Sequence, residues 1–129
     1  MPVPNALTVL FDRFQASNRI ALVAEDHLPE ALARRGKVLV GFFSDPAVHP
    51  ENVDLAVILP ELLKSFPELE AVVPRSCAPV ALAGRFGVTV FPALALVDAG
   101  CGLGSLQRIQ PWPLYAETIR RFLVRSESC

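Results

Sequence analysis

Six carboxylates, Asp45, Glu51, Asp54, Glu61, Glu68 and Glu70, fall between Ser44 and Glu70, a stretch whose single base is Lys64. Its charge is −5, while the rest of the chain carries 11 bases against 7 acids. Carboxylates gathered in this way attract a cationic partner and accept guanidinium groups through paired, charge-assisted hydrogen bonds. The plainer role for such a segment is a solvated helix face. The three cysteines, Cys77, Cys101 and Cys129, are spaced 24 and 28 residues apart, which fits neither a CxxC redox pair nor a zinc site. Thiols of this kind are expected to stay reduced and to pack as small apolar groups. Cys77, just ahead of a predicted helix, is the one whose acidity a helix N-terminus would raise. His27 and His49 have no ligating residues clustered near them in sequence, so no metal is expected. A glycine-rich phosphate loop, a nucleophile elbow and paired catalytic carboxylates are all missing, which points away from an enzyme and from any cofactor.

The elements that must position these residues follow from periodicity. Leu7, Leu10, Phe11 and Phe14 form one apolar face of a helix capped by Asn5 and running to about Gln15. Ile20 to Ala24 is a short strand. Asp26 then caps a brief helix ending near Arg35, with Gly36 as its stop. Lys37 to Phe43 is almost continuously apolar, as a central strand buried on both faces must be. Ser44 to Asn52, holding Pro46 and Pro50, is a loop; Val53 to Phe66 is a helix bent by Pro60. Leu69 to Val73 is a strand, and Pro79 suits the first turn of a helix from about Ala78 to Phe86. Val88 to Val97 is an apolar strand entered through Phe91-Pro92. A turn at Asp98-Ala99-Gly100 leads to a hairpin partner over Leu103 to Ile109, and Pro111-Trp112-Pro113 opens a last helix to about Val124. This order gives an α/β domain over residues 1–129, its mixed sheet covered by helices on both faces.

Composition bounds the rest. With 52% hydrophobic and 19% charged residues, a chain of 129 has ample material for one core. Mean hydropathy is +0.41, yet Val88 to Val97 is about half the roughly 20 residues a membrane helix needs, and Pro92 interrupts it. No stable membrane insertion is expected. The first residues lack a basic segment followed by an apolar run, so the expected location is the cytoplasm. A net charge of −1 argues against a nucleic-acid partner.

The segment Phe86-Gly87-Val88-Thr89-Val90-Phe91-Pro92-Ala93-Leu94 resembles the part of thioredoxins that leads into their cis-proline. The resemblance implies a cis Phe91–Pro92 bond before an inner strand, beside which thioredoxins hold extended peptides by main-chain hydrogen bonds. Aligning Pro60 with the family's kink proline puts Asn52 and Leu55 where the redox cysteines stand, and Gly41 where the assisting buried acid stands. Redox chemistry at that place is therefore not implied. A closer resemblance runs from about Phe43 to Leu123. Ser44-Asp45-Pro46, Pro50-Glu51, Leu59-Pro60-Glu61-Leu62-Leu63, Phe66-Pro67, Arg85-Phe86-Gly87-Val88, Phe91-Pro92-Ala93 and Pro111-Trp112 are similar to the HupG/HyaE-type hydrogenase expression and formation proteins. One departure is Ala47-Val48-His49, where many relatives carry basic residues.

That resemblance implies a non-catalytic, thioredoxin-like chaperone for the small subunit precursor of uptake [NiFe] hydrogenases, engaging its twin-arginine leader before export. Other hydrogenase maturation proteins are further candidate partners. Such a leader offers two guanidinium groups and an apolar stretch, so its receptor needs carboxylates beside an apolar groove. Asp45, Glu51 and Asp54, with Glu61 further along, are the candidate carboxylates; Phe43, Phe91 and Pro92, with Phe42 and Trp112, are candidate groove residues. Each has a plainer role: Asp54 favouring the helix start, Phe42 and Phe91 filling the core, Trp112 anchoring the last helix. Two other readings stand beside the chaperone: a thiol enzyme using Cys77 alone, and a scaffolding subunit of a maturation complex.

Overall fold

The computed structural model describes residues 6–44, 50–75 and 81–124. Five strands form one mixed sheet: β1 (Ile20–Ala24), β2 (Lys37–Phe42), β3 (Glu70–Arg75), β4 (Ala93–Asp98) and β5 (Cys101–Gln107). Their spatial order is β1-β3-β2-β4-β5. β3 runs parallel to both β1 and β2, while β4 is antiparallel to β2 and to β5. β2 is thus central, and its side chains alternate between two cores as a pleated strand requires. Leu39 and, just past the strand, Phe43 face one cluster with Leu55, Leu59, Leu62, Tyr115 and Ile119. Val38, Val40 and Phe42 face the other with Leu28, Leu32, Phe86 and Val97.

The first cluster is covered by α1 (Ala6–Gln15), α3 (Glu51–Ser65) and α4 (Trp112–Val124); the second by α2 (Leu28–Ala33) and a 3-10 segment, Ala81–Phe86. α3 buries Asn52, Leu55, Ala56, Leu59, Leu62 and Leu63, a stripe at three- and four-residue spacing. Pro60 lies inside it, where the missing N–H leaves the carbonyl of Ala56 without its helical partner. At its far end the Arg19 guanidinium donates to the carbonyls of Leu63, Phe66 (2.9 Å) and Leu69. Cations belong at helix C-termini, and here one side chain ties α3 to β1 and to the approach of β3.

Several boundaries differ from expectation. Asp26 is not a helix cap: Glu25–His27 is a 3-10 turn, and α2 begins at Leu28 with no side-chain cap. Its stop is not a left-handed Gly36 but the N–H groups of Arg34 and Arg35, which return to the carbonyls of Glu30 and Leu32. α3 starts two residues before Val53. The predicted helix over 78–86 falls partly on residues 76–80, which lie outside the described ones, as does the Asn5 cap. β4 starts only at Ala93, because the amides of Thr89 and Val90 are taken by the Gln107 side chain rather than by a strand. The hairpin turn is just Ala99-Gly100, both at positive φ (52° and 90°), the pairing that suits a two-residue connection, so β5 resumes at Cys101. Gly102 in β5 lies against Phe86, where a Cβ would come within 2.8 Å of the ring. Among the described residues no helix is long and apolar enough to cross a membrane.

Candidate functional site

Three strips of chain meet at one end of the sheet: the first turn of α3, the segment Val88–Pro92, and Gln107–Arg108 just past β5. The Gln107 Oε1 accepts from the N–H groups of Thr89 (2.8 Å) and Val90 (3.0 Å) and from the Thr89 hydroxyl (3.2 Å). One residue on, the Arg108 N–H donates to the Pro92 carbonyl at 2.7 Å. The Arg108 guanidinium then reaches across to α3, its Nη2 lying 2.9 Å from the Glu51 Oε1. Tyr115, fully buried on α4, secures this loop: its hydroxyl accepts from the Gln110 N–H (3.2 Å) and donates to the Arg108 carbonyl (3.4 Å). Burial raises the Tyr115 hydroxyl above the ordinary tyrosine pKa, the Gln110 N–H opposing this in part.

The positions that resemble redox cysteines hold no thiol chemistry. Asn52 is fully buried, its Oδ1 accepting from the Ser44 N–H at 2.8 Å and its Nδ2 donating to the Ser44 hydroxyl at 3.2 Å. It therefore fixes the end of β2 to the start of α3. Leu55 is equally buried. At Gly41 an added Cβ would already meet the Phe43 ring at 3.1 Å and Leu59 and Val73 at 3.4 Å, so a carboxylate there would have to push packed apolar side chains aside. The Phe91–Pro92 bond is cis. Neither the N–H nor the C=O of Phe91 makes a hydrogen bond with any described residue. The exposed apolar side chains of these strips are Val90, next to Phe91, and Val53 and Val57 along the outer face of α3.

The six sequence-predicted site residues separate. Asp45 lies outside the described residues. Glu51 is in place but engaged with Arg108, a partner 57 positions away that sequence reading did not single out. Asp54 is exposed. Phe43 is only 2% exposed and packs against Phe14 at 5.6 Å, because it continues the parity of Leu39 and Gly41 into the α3 core; it is core, not groove. Phe91 is half-buried, set edge-on to Phe42 at 6.4 Å, and Pro92 is buried. Phe42 is fully buried. Glu61 is two turns or more from the site and pairs with Lys64 at 2.9 Å. Trp112, expected to anchor α4, is 42% exposed, and Tyr115 does the anchoring. Cys77 lies outside the described residues. Cys101, expected as a reduced thiol, is disulfide-bonded.

A central strand flanked by a parallel and an antiparallel neighbour, a proline-bent helix starting at its end, and a cis-proline facing that start define a thioredoxin-like domain without the redox pair. The fold match is direct: a Halobacterium salinarum thioredoxin mutant superposes with a TM-score of 0.67 at 17% identity, over 84% of this chain and 95% of that one. A family model described as Hydrogenase-1 expression protein HyaE matches residues 10–115, and the chain belongs to that family. It is 33% identical to the hydrogenase expression/formation protein HoxO of Azotobacter vinelandii, over 88% of this chain and 77% of that protein. It is 36% identical to HupG of Bradyrhizobium diazoefficiens, over 84% and 74% respectively. A crystal structure described as a hydrogenase expression/formation protein HupG of Rhodopseudomonas palustris shares 39% identity and a TM-score of 0.54, over 80% of this chain and 94% of that one.

Proposed function

We propose that this protein is a non-catalytic chaperone of uptake [NiFe] hydrogenase maturation, holding the small subunit precursor by its twin-arginine leader before export. The observation that carries the reading is the main chain of Phe91, unpaired among the described residues and joined through Arg108 to the acidic first turn of α3. An extended guest adds to such a main chain as a further strand does, its alternate side chains choosing the register. Apolar residues of the guest lie against Val53, Val57 and Val90, and its guanidinium groups meet Asp54 and Glu51. Exposed ion pairs contribute at most about 1 kcal/mol each, so main-chain pairing and apolar contact carry most of the affinity. With Asn52 and Leu55 in place of thiols, the guest is bound and released without a covalent step. The names borne by the relatives support an accessory role in making hydrogenase.

Titration calorimetry with a synthetic leader tests this. The expected dissociation constant is on the order of micromolar or tighter, corresponding to about −8 kcal/mol. Affinity falls as salt rises and when both leader arginines become lysine, which lacks the planar fork. Equal binding of the double-lysine peptide, or none of either, overturns the proposal.

A further inference from the structure

We infer that Arg108 is a built-in occupant of the carboxylate that an arginine-bearing guest must use, so that Glu51 is reached only by exchanging one guanidinium for another. This rests on the reading above and specifies how that same site is regulated. Three observations support it. The Arg108 side chain is 60% exposed while its Nη2 sits 2.9 Å from Glu51, which places the pair at the surface where a guest has access. Its backbone is held at both ends, by the Pro92 carbonyl and the Tyr115 hydroxyl, so the guanidinium can leave without the loop unfolding. Finally, Arg108 has a φ of 61°, in the left-handed region that arginine seldom adopts. No glycine or asparagine stands there, although either fits that backbone better. The pair spans from the chain after β5, where the Arg108 N–H holds the Pro92 carbonyl, to the first turn of α3. A guest whose cation seats at Glu51 therefore competes with it.

Competition of this kind has a sign that simple structural bracing lacks. Arg108→Asn keeps the left-handed backbone and removes the competing cation, so a twin-arginine leader should bind about two- to fivefold more tightly, the range an exposed ion pair spans. Its affinity should also fall more steeply with salt, since binding then forms an ion pair where the native protein only exchanges one. The same peptide with both arginines replaced by glutamine does not displace Arg108, so its affinity should be equal for the two proteins. In a Glu51→Gln background Arg108→Asn should give no gain; a gain that persists there reports long-range charge and overturns the inference. If the native protein binds the leader and Arg108→Asn binds it equally or more weakly, the inference fails while the chaperone reading stands. If neither protein binds the leader, both fail. Far-ultraviolet circular dichroism and urea unfolding of each variant establish that the fold is retained before its affinity is compared.

Discussion

Each end of α3 is met by an arginine from elsewhere in the chain, and the two do different work. At the C-terminal end Arg19 is partly buried and donates to the carbonyls of Leu63, Phe66 and Leu69. Its partners are main-chain carbonyls inside the fold, and of the three the Phe66 carbonyl also accepts from the Leu69 N–H at 3.0 Å, so the contact belongs to the folded scaffold. At the N-terminal end an exposed Arg108 meets one carboxylate, Glu51, which is itself half-buried but still open to solvent. The same side chain is a staple in one setting and an exchangeable latch in the other. What separates them is burial and the nature of the acceptor: part-buried carbonyls stripped of a donor cost free energy, whereas a carboxylate open to solvent takes up water.

The largest effect should fall on the staple. Arg19→Ala takes the guanidinium from the Leu63 and Leu69 carbonyls and leaves the Phe66 carbonyl only the Leu69 N–H, and it should lower unfolding free energy by about 2–4 kcal/mol, read from a urea midpoint that shifts without a change in slope. A loss below about 1 kcal/mol would erase the contrast between the two ends. Next comes Asn52→Leu at the N-terminal end, which strands the buried Ser44 N–H and should cost about 1–3 kcal/mol. That result would show that α3 is held at its start by Asn52 and not by the arginine. Tyr115→Phe removes the hydroxyl that bonds the Arg108 carbonyl and the Gln110 N–H, at a cost of about 1 kcal/mol.

Tyr115 also gives a pH signature. Its pKa is raised in the folded chain, so its contribution is fully present below the ordinary tyrosine value of about 10. Above that pH the unfolded chain loses the proton first, and stability falls as pH rises towards the folded-state value. Unfolding experiments between about pH 9 and 11 should show this decline in the native protein and a shallower one in Tyr115→Phe. The smallest effect belongs to the latch: Glu51→Gln should change stability by less than about 1 kcal/mol, and less still at high salt.

The sequence made some of this legible and hid the rest for physical reasons. β2 and α3 carry strong periodic signals, and Phe91-Pro92 sits in a segment whose resemblance to a known site is specific. Phe43 belongs to the core and not to the groove, as its parity with Leu39 requires; the apolar content of the strand alone does not tell its two faces apart. Trp112 drew the anchoring role by size, when the smaller Tyr115, one helical turn inward, holds it. Arg19 and Arg108 left no trace in the pattern, since a lone charge announces neither a distant carbonyl nor a carboxylate 57 residues away. Charge counting therefore found the acidic stretch and missed that one of its members is already answered from within the fold.

The central claim is that a guest pairs with the main chain at Phe91, and amide hydrogen exchange of that N–H reads it most directly. Saturating the protein with twin-arginine leader should slow exchange at Phe91, with the amides of Thr89 and Val90, already bound to Gln107, changing much less. Binding of the leader with exchange at Phe91 unchanged would contradict the account.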